Sequence, residues 1–192
     1  MITDCSRIEG EQFFSRVEQA LASGVDAVLV REKQMDSARL LAFAAHLREL
    51  THRYKAKLII HTQADVAEAV EADGVHVAAS DIETIPAVRG WLDKGVTVSA
   101  SCHDIDELEL AGEYGADFAL LSPVFPTRSH PGAPNLGVAK FSELANESPV
   151  PVVALGGITP ENRSELSGFG VAVISAILDA ADPKQAAISL FV

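Results

Sequence analysis

The sequence predicts an α/β chain of the (β/α)8 TIM barrel class, one compact domain over residues 1–192 with a clipped first strand. Two observations carry this prediction. Short β-branched runs alternate with longer stretches of helical period, and the junctions from helix to strand repeat. The runs at 25–31, 57–61, 74–77, 96–101, 118–122, 152–155 and 171–175 are short and almost continuously apolar, the pattern of strands covered on both faces. Between them lie amphipathic stretches at 11–22, 37–54, 64–71, 82–93, 105–114, 137–145 and 160–166. In 37–54, Leu40, Leu41, Ala44, Leu47 and Leu50 recur at helical steps. Adding Ile2-Thr3 as the clipped strand and 183–190 as a last helix gives eight strands and eight helices.

The junctions "GVDAVLV", "EADGVHV" and "GADFALL" each place Gly and Asp just before a strand, where Gly ends a helix and Asp turns the chain. Asp26, Asp73 and Asp117 stand 47 and 44 residues apart, about two βα units each. An open doubly wound sheet is the competing architecture. It calls for a glycine-rich dinucleotide turn after its first strand, and "TDCSRIEG" is not one.

Composition narrows the function classes. Apolar residues make up 48% and charged residues 22%, an ordinary globular balance. The net charge of −12 carries no basic stripe, so binding to nucleic-acid phosphates is not expected, and any anionic ligand must be held by a local site. The apolar runs break within about ten residues, too short for a membrane span. Cys5 and Cys102 form no metal or redox spacing, and with no export signal at the start the expected setting is cytoplasmic.

In a (β/α)8 barrel the chemistry sits on the loops after the strands. Those loops carry Arg31-Glu32-Lys33, His61-Thr62-Gln63, Ser80-Asp81, Ser101-Cys102-His103-Asp104, Gly156-Gly157 and Ser175-Ala176. The run at 118–122 leads into "SPVFPTRSHPGAP" (122–134), where four prolines surround Thr127, Arg128, Ser129 and His130. Gly156 and Gly157 allow backbone N–H groups to approach an anion closely, and Ser175-Ala176 open a short helix whose N–H groups suit a phosphate. The alternative for the glycines is a tight turn and nothing more. Arg31 and Lys33, on alternate residues of a strand end, suit a second anionic group such as pyrophosphate, or form a solvated rim. His76 reads as a core histidine, and His46 and His52 as helix surface.

The motifs "ITD" (2–4), "VREK" (30–33), "EADGVHVAASD" (71–81), "SASCHD" (99–104), "SPVFPTRSH" (122–130), "VPVVALGGI" (150–158) and "VISAI" (173–177) resemble, in order and through nearly the whole chain, those of thiamine phosphate synthases and the related TenI-like thiazole tautomerases. The resemblance implies a barrel that joins a pyrimidine diphosphate to a thiazole phosphate and releases pyrophosphate, or moves a proton on the thiazole. It implies that Gly157 with Ser175 and Ala176 hold the thiazole phosphate, that Arg31 and Lys33 hold diphosphate, that Asp81 ligates Mg2+, and that Ser101 lines the site. Thr127 and Ser129 belong to a proline-stiffened loop that closes over the substrate.

The chain also departs from those families. Leu29 stands where synthases carry glutamine, His61-Thr62 where they carry Asn-Asp, and His130 where they carry lysine. Pro123 stands where the tautomerases carry a catalytic histidine. Three readings stay open: proton transfer through His61 or His130 (or residual synthase chemistry), a full synthase, and a non-catalytic module for a phosphorylated thiazole or thiamine phosphate. Self-association into a homo-oligomer is left open.

Overall fold

The computed structural model describes residues 1–8, 10–92, 95–127 and 134–191. Among the described residues seven strands are present: β1 (Ala27–Val30), β2 (Lys57–His61), β3 (Gly74–Val77), β4 (Thr97–Cys102), β5 (Phe118–Leu121), β6 (Val152–Leu155) and β7 (Gly170–Ala172). They follow one another in chain order, and the registers of β1 with β2, and of β4 through β7, are parallel. A doubly wound sheet reverses its strand order at a switch point. No reversal occurs here, so the connectivity is that of the (β/α)8 class. The clipped strand is a single parallel bridge from Ile2 to Leu29, flanked by Thr3 N–H to the Leu29 carbonyl (2.9 Å) and Leu29 N–H to the Met1 carbonyl (2.9 Å).

Helices α1 (Glu11–Leu21), α2 (Ser37–Arg53), α3 (Ala64–Ala69), α4 (Ile85–Trp91), α5 (Ile105–Glu113), α6 (Gly137–Glu147), α7 (Ser175–Leu178) and α8 (Pro183–Phe191) connect and follow the strands. None is long and apolar enough, among the described residues, to cross a membrane. The stretch expected as a helix at 160–166 instead forms a 3-10 helix only over Arg163–Leu166. Asn162 explains this: its side chain accepts from Thr159 N–H (2.8 Å) and donates to the Gly157 carbonyl (3.0 Å), a local turn that competes with helix.

The chain divides into two compact units, Met1–Val75 with the chain from Ile174 onward, and His76–Val173. In the first, Leu40, Ala44, Leu47 and Leu50 form the buried stripe of α2, while Leu41 lies off the stripe and is 40% exposed. Asp36 caps this helix by accepting from Arg39 N–H (2.9 Å). Phe13 and Val17 of α1 and Leu58 and Ile60 of β2 are buried in the same unit. In the second, the largest fully buried side chains include Ile82, Ile85, Leu108, Leu121, Phe141 and Leu166.

The repeated aspartates have a shared structural use. Asp73 donates its N–H to the Leu58 carbonyl (2.8 Å), and its carboxylate accepts from Leu58 N–H (2.9 Å), Arg48 (2.7 Å) and Lys57 (3.0 Å). Asp117 does the same in the other unit, with Val98 N–H (2.7 Å) and Arg89 (2.7 Å) on its carboxylate. Each clamps the start of a neighbouring strand and recruits an arginine from an earlier helix. Asp26 contributes its backbone carbonyl, which accepts from Lys57 N–H (2.8 Å).

Burial alone would raise the pKa of Asp73, but the Leu58 N–H, Lys57 and Arg48 outweigh it and hold the carboxyl below its usual range. With the folded value below the unfolded one, the stabilisation is present above about pH 4 and is lost as pH falls through the folded value. Asp73→Ala, which leaves Leu58 N–H without its acceptor, is expected to cost about 1–3 kcal/mol at neutral pH. Urea unfolding checks this, and the gap from wild type should narrow on acidification.

Candidate functional site

The turn after β6 is built by its neighbours. Pro123 and Pro126 have no N–H, so Val124 and Phe125 are the only donors between them. Both donate to β6 and its turn: Val124 N–H to the Leu155 carbonyl (2.9 Å) and Phe125 N–H to the Gly156 carbonyl (3.0 Å). The returning chain grips the same segment, with Leu136 N–H on the Pro123 carbonyl and Gly137 N–H on the Val124 carbonyl (both 2.9 Å).

In a trans peptide the N–H points opposite to the C=O. With the Leu155 and Gly156 carbonyls turned toward Val124 and Phe125, the N–H groups of Gly156 and Gly157 are turned the other way. Among the described residues neither has an acceptor, and both glycines are half-buried. Backbone donors in such a place are usually paired, so two adjacent ones suit an anion.

The glycines also pack closely. Gly156 (φ +101) and Gly157 (φ +66) hold left-handed backbone. A Cβ on Gly156 would lie 2.7 Å from Pro123 Cα, and one on Gly157 would lie 2.8 Å from Phe125 Cβ and against the Pro126 carbonyl. The tight-turn reading is met, since the Cα face packs on the proline segment, and the N–H face has no acceptor among the described residues. Ser175 and Ala176, in the other unit, are the first residues of α7, and their N–H groups likewise have no acceptor among the described residues.

In the first unit, β1 ends at Val30, one residue before Arg31. The expectation that Arg31 and Lys33 alternate on one strand face does not apply, because Met35 N–H closes a turn on the Glu32 carbonyl (3.2 Å). Arg31 is half-buried, with its N–H on Thr3 Oγ1 (3.0 Å), and Lys33 is exposed. Glu32 is used locally, its carboxylate accepting from Cys5 N–H at 3.1 Å. His61, half-buried, closes β2, and its carbonyl accepts from Thr62 Oγ1 and Gln63 N–H (both 2.8 Å). Thr62 has φ +59, a conformation rare for a β-branched residue and common for Asn and Asp.

In the second unit, Asp81 lies in the 3-10 helix Ala79–Thr84 directly after β3, its N–H on the Ala78 carbonyl (2.9 Å) and its carboxylate accepting from Ser80 (3.2 Å). Ser101 Oγ is 2.8 Å from His76 Nε2, and His76 Nδ1 is 2.9 Å from Ser99 Oγ. The sequence expectation of a core histidine at His76 holds, with both ring nitrogens partnered, while the identity of the partners was not read from the sequence. The signal it offered was the alternation of Ser99 and Ser101, which places both hydroxyls on one face of β4. Thr127 is half-buried, and Ser129 and His130 lie outside the described residues. Burial pushes the Cys102 thiol up to about 12, helped by Glu107 and Asp104, and burial with Glu32 does the same to Cys5, so neither is a reactive thiolate.

No three of His, Cys, Asp and Glu come together as a metal cluster among the described residues. Mg2+ commonly takes one or two carboxylates and completes its shell with phosphate oxygens and water. Asp81 fits an ion that arrives with a diphosphate, and does not fit one held by protein groups alone.

Fold and loops together define a (β/α)8-class chain with backbone donors, cations, imidazole and a carboxylate placed after its strands. A family model described as thiamine monophosphate synthase matches residues 1–179. The thiamine-phosphate synthase of Methanobrevibacter smithii is 34% identical over 193 residues, covering 99% of this chain and 91% of that protein. That of Methanococcus vannielii is 37% identical over 169 residues, covering 86% and 81%. Among solved structures, thiamine phosphate pyrophosphorylase from Pyrococcus furiosus matches with a TM-score of 0.86 at 32% identity, covering 98% of this chain and 91% of that one. The chain belongs to the thiamine monophosphate synthase family, a family of thiamine biosynthesis.

Gly157→Ala combines a left-handed backbone with a collision against Phe125 and Pro126, and is expected to destabilise the fold by about 1–3 kcal/mol or more. Gly10→Ala (φ +62), whose added Cβ meets nothing within 4 Å, isolates the backbone share of that cost. Comparable melting of the two variants would contradict the packing described for the β6 turn.

Proposed function

We propose that this chain is a thiamine-phosphate synthase, joining a pyrimidine diphosphate to a thiazole phosphate. The carbon–oxygen bond to the diphosphate breaks, the pyrimidine carbon bonds to the thiazole, and pyrophosphate leaves with the electron pair. The observation that carries this reading is the near full-length likeness to proteins named as thiamine-phosphate synthases. A proton-transfer role for His61 has no comparable support.

The thiazole phosphate is assigned to the open N–H groups of Gly156 and Gly157, and those of Ser175 and Ala176 are a further set of the same kind. Arg31 and Lys33 are assigned to diphosphate binding; in the other unit, Ser101 and Thr127 are assigned as polar contacts of substrate and Asp81 as a protein ligand of Mg2+. A bound Mg2+ would neutralise charge on the departing pyrophosphate. Ser129 is assigned to substrate binding, and His130 takes the place of the family's lysine.

The departures shape the reading. Thr62 occupies backbone suited to Asn or Asp, and its hydroxyl is spent on the His61 carbonyl. With no carboxylate there, the reaction should need more Mg2+ than a synthase with two acidic ligands.

A coupled assay for pyrophosphate release from both substrates tests this. Turnover is expected, and Thr62→Asp is expected to lower the Mg2+ concentration for half-maximal rate by about tenfold, roughly the gain of one charged ligand contact, without loss of stability. Binding of thiazole phosphate with no pyrophosphate release at any Mg2+ concentration would replace the synthase with a binding module.

A further inference from the structure

Ser99 and Ser101 of β4 place their hydroxyls on one strand face, and His76 of β3 lies between them. Its Nδ1 is 2.9 Å from Ser99 Oγ and its Nε2 is 2.8 Å from Ser101 Oγ. His76 is 2% exposed and Ser99 1%, whereas Ser101 is half-buried. Among the described residues neither serine hydroxyl has a partner besides His76.

A neutral imidazole has one N–H donor and one acceptor nitrogen, and a hydroxyl takes either part. Two directions of bonding are open. If Nδ1–H donated to Ser99, the serine's own proton would be sealed in the interior with nothing to accept it, the costly kind of loss. If Ser99 donates to Nδ1, its proton is used and only lone pairs go unfilled. The second direction wins. Nε2 then carries the ring proton and donates to Ser101, and the Ser101 proton is turned away from His76 toward the half-open side.

We propose that Ser99 and His76 form a positioning relay that makes Ser101 a hydrogen-bond donor to an oxygen of the substrate diphosphate. Neither Ser99 nor His76 touches substrate in this account; each acts through Ser101. The ligand rests on the functional reading above, whereas the direction of the relay rests only on burial and geometry. The donor direction suits an anion, since a serine offering lone pairs there would repel one.

The relay is tested on 15N-histidine protein by long-range 1H–15N correlation, with the His76 signals identified by their loss in His76→Asn. The expected result is a proton on Nε2 and a bare Nδ1; a proton on Nδ1 overturns the relay. Binding of inorganic pyrophosphate with Mg2+ supplies the second reading. Ser99→Ala frees the tautomer and is expected to weaken pyrophosphate by about tenfold, the worth of one hydrogen bond to a charged group, while Ser99→Thr keeps the hydroxyl and restores affinity. Equal affinity in wild type and Ser99→Ala overturns the role given to Ser101. A protein that binds no pyrophosphate overturns the functional reading and the ligand assigned to Ser101, and the tautomer still decides the relay.

Discussion

The N–H groups of Val124 and Phe125, held on the Leu155 and Gly156 carbonyls, orient everything at the turn after β6. Peptide planarity converts those two bonds into a direction for the next two N–H groups. The prolines on either side remove competing donors, and the returning chain at Leu136 and Gly137 locks the segment from behind. The stiffness of the proline stretch therefore acts first at its root. It fixes a backbone surface whose donors have no acceptor among the described residues, which suits a chain of net charge −12 if it is to hold an anion.

The two ends of the strands carry different burdens. At their amino ends, Asp73 and Asp117 repeat one clamp in the two units, each joining a neighbouring strand's N–H to an arginine from an earlier helix. These bonds serve stability. At the carboxyl ends the pattern changes to groups with no protein partner among the described residues, the Arg31 side chain and the Gly156 and Gly157 N–H groups, together with Ser101 beside His76. That division is the one the (β/α)8 class uses generally. Thr62 holds left-handed backbone at such an end, a cost of order 1 kcal/mol.

The strands were legible because burial on both faces leaves continuous apolar runs, and six of the seven fall within two residues of their expected bounds, whereas β7, expected over 171–175, ends at Ala172. The repeated Asp was visible as spacing, but its partners Arg48 and Arg89 were not, since long-range ion pairs leave no periodic trace. Leu41 shows the limit of a three-and-four spacing, which admits neighbours of the stripe as readily as the stripe itself. Arg31 and Lys33 were placed on a strand that had already ended, because a turn through Glu32 and Met35 carries no glycine or proline to mark it. The packing role of Gly157 was hidden for a different reason: the atoms that exclude a Cβ there belong to Phe125 and Pro126, over thirty positions earlier in the chain. His76 was read by type alone, and its meaning came from two serines on the next strand.

The central claim is that the open N–H groups of the β6 turn hold the phosphate. Titrating 15N-labelled protein with inorganic phosphate while following the backbone amides tests it most directly. The account predicts saturable shifts at Gly156 and Gly157 that exceed those elsewhere in their unit, with little change at Val124 and Phe125, whose N–H groups are already bound. Saturable phosphate binding that leaves the Gly156 and Gly157 amides unmoved would contradict it.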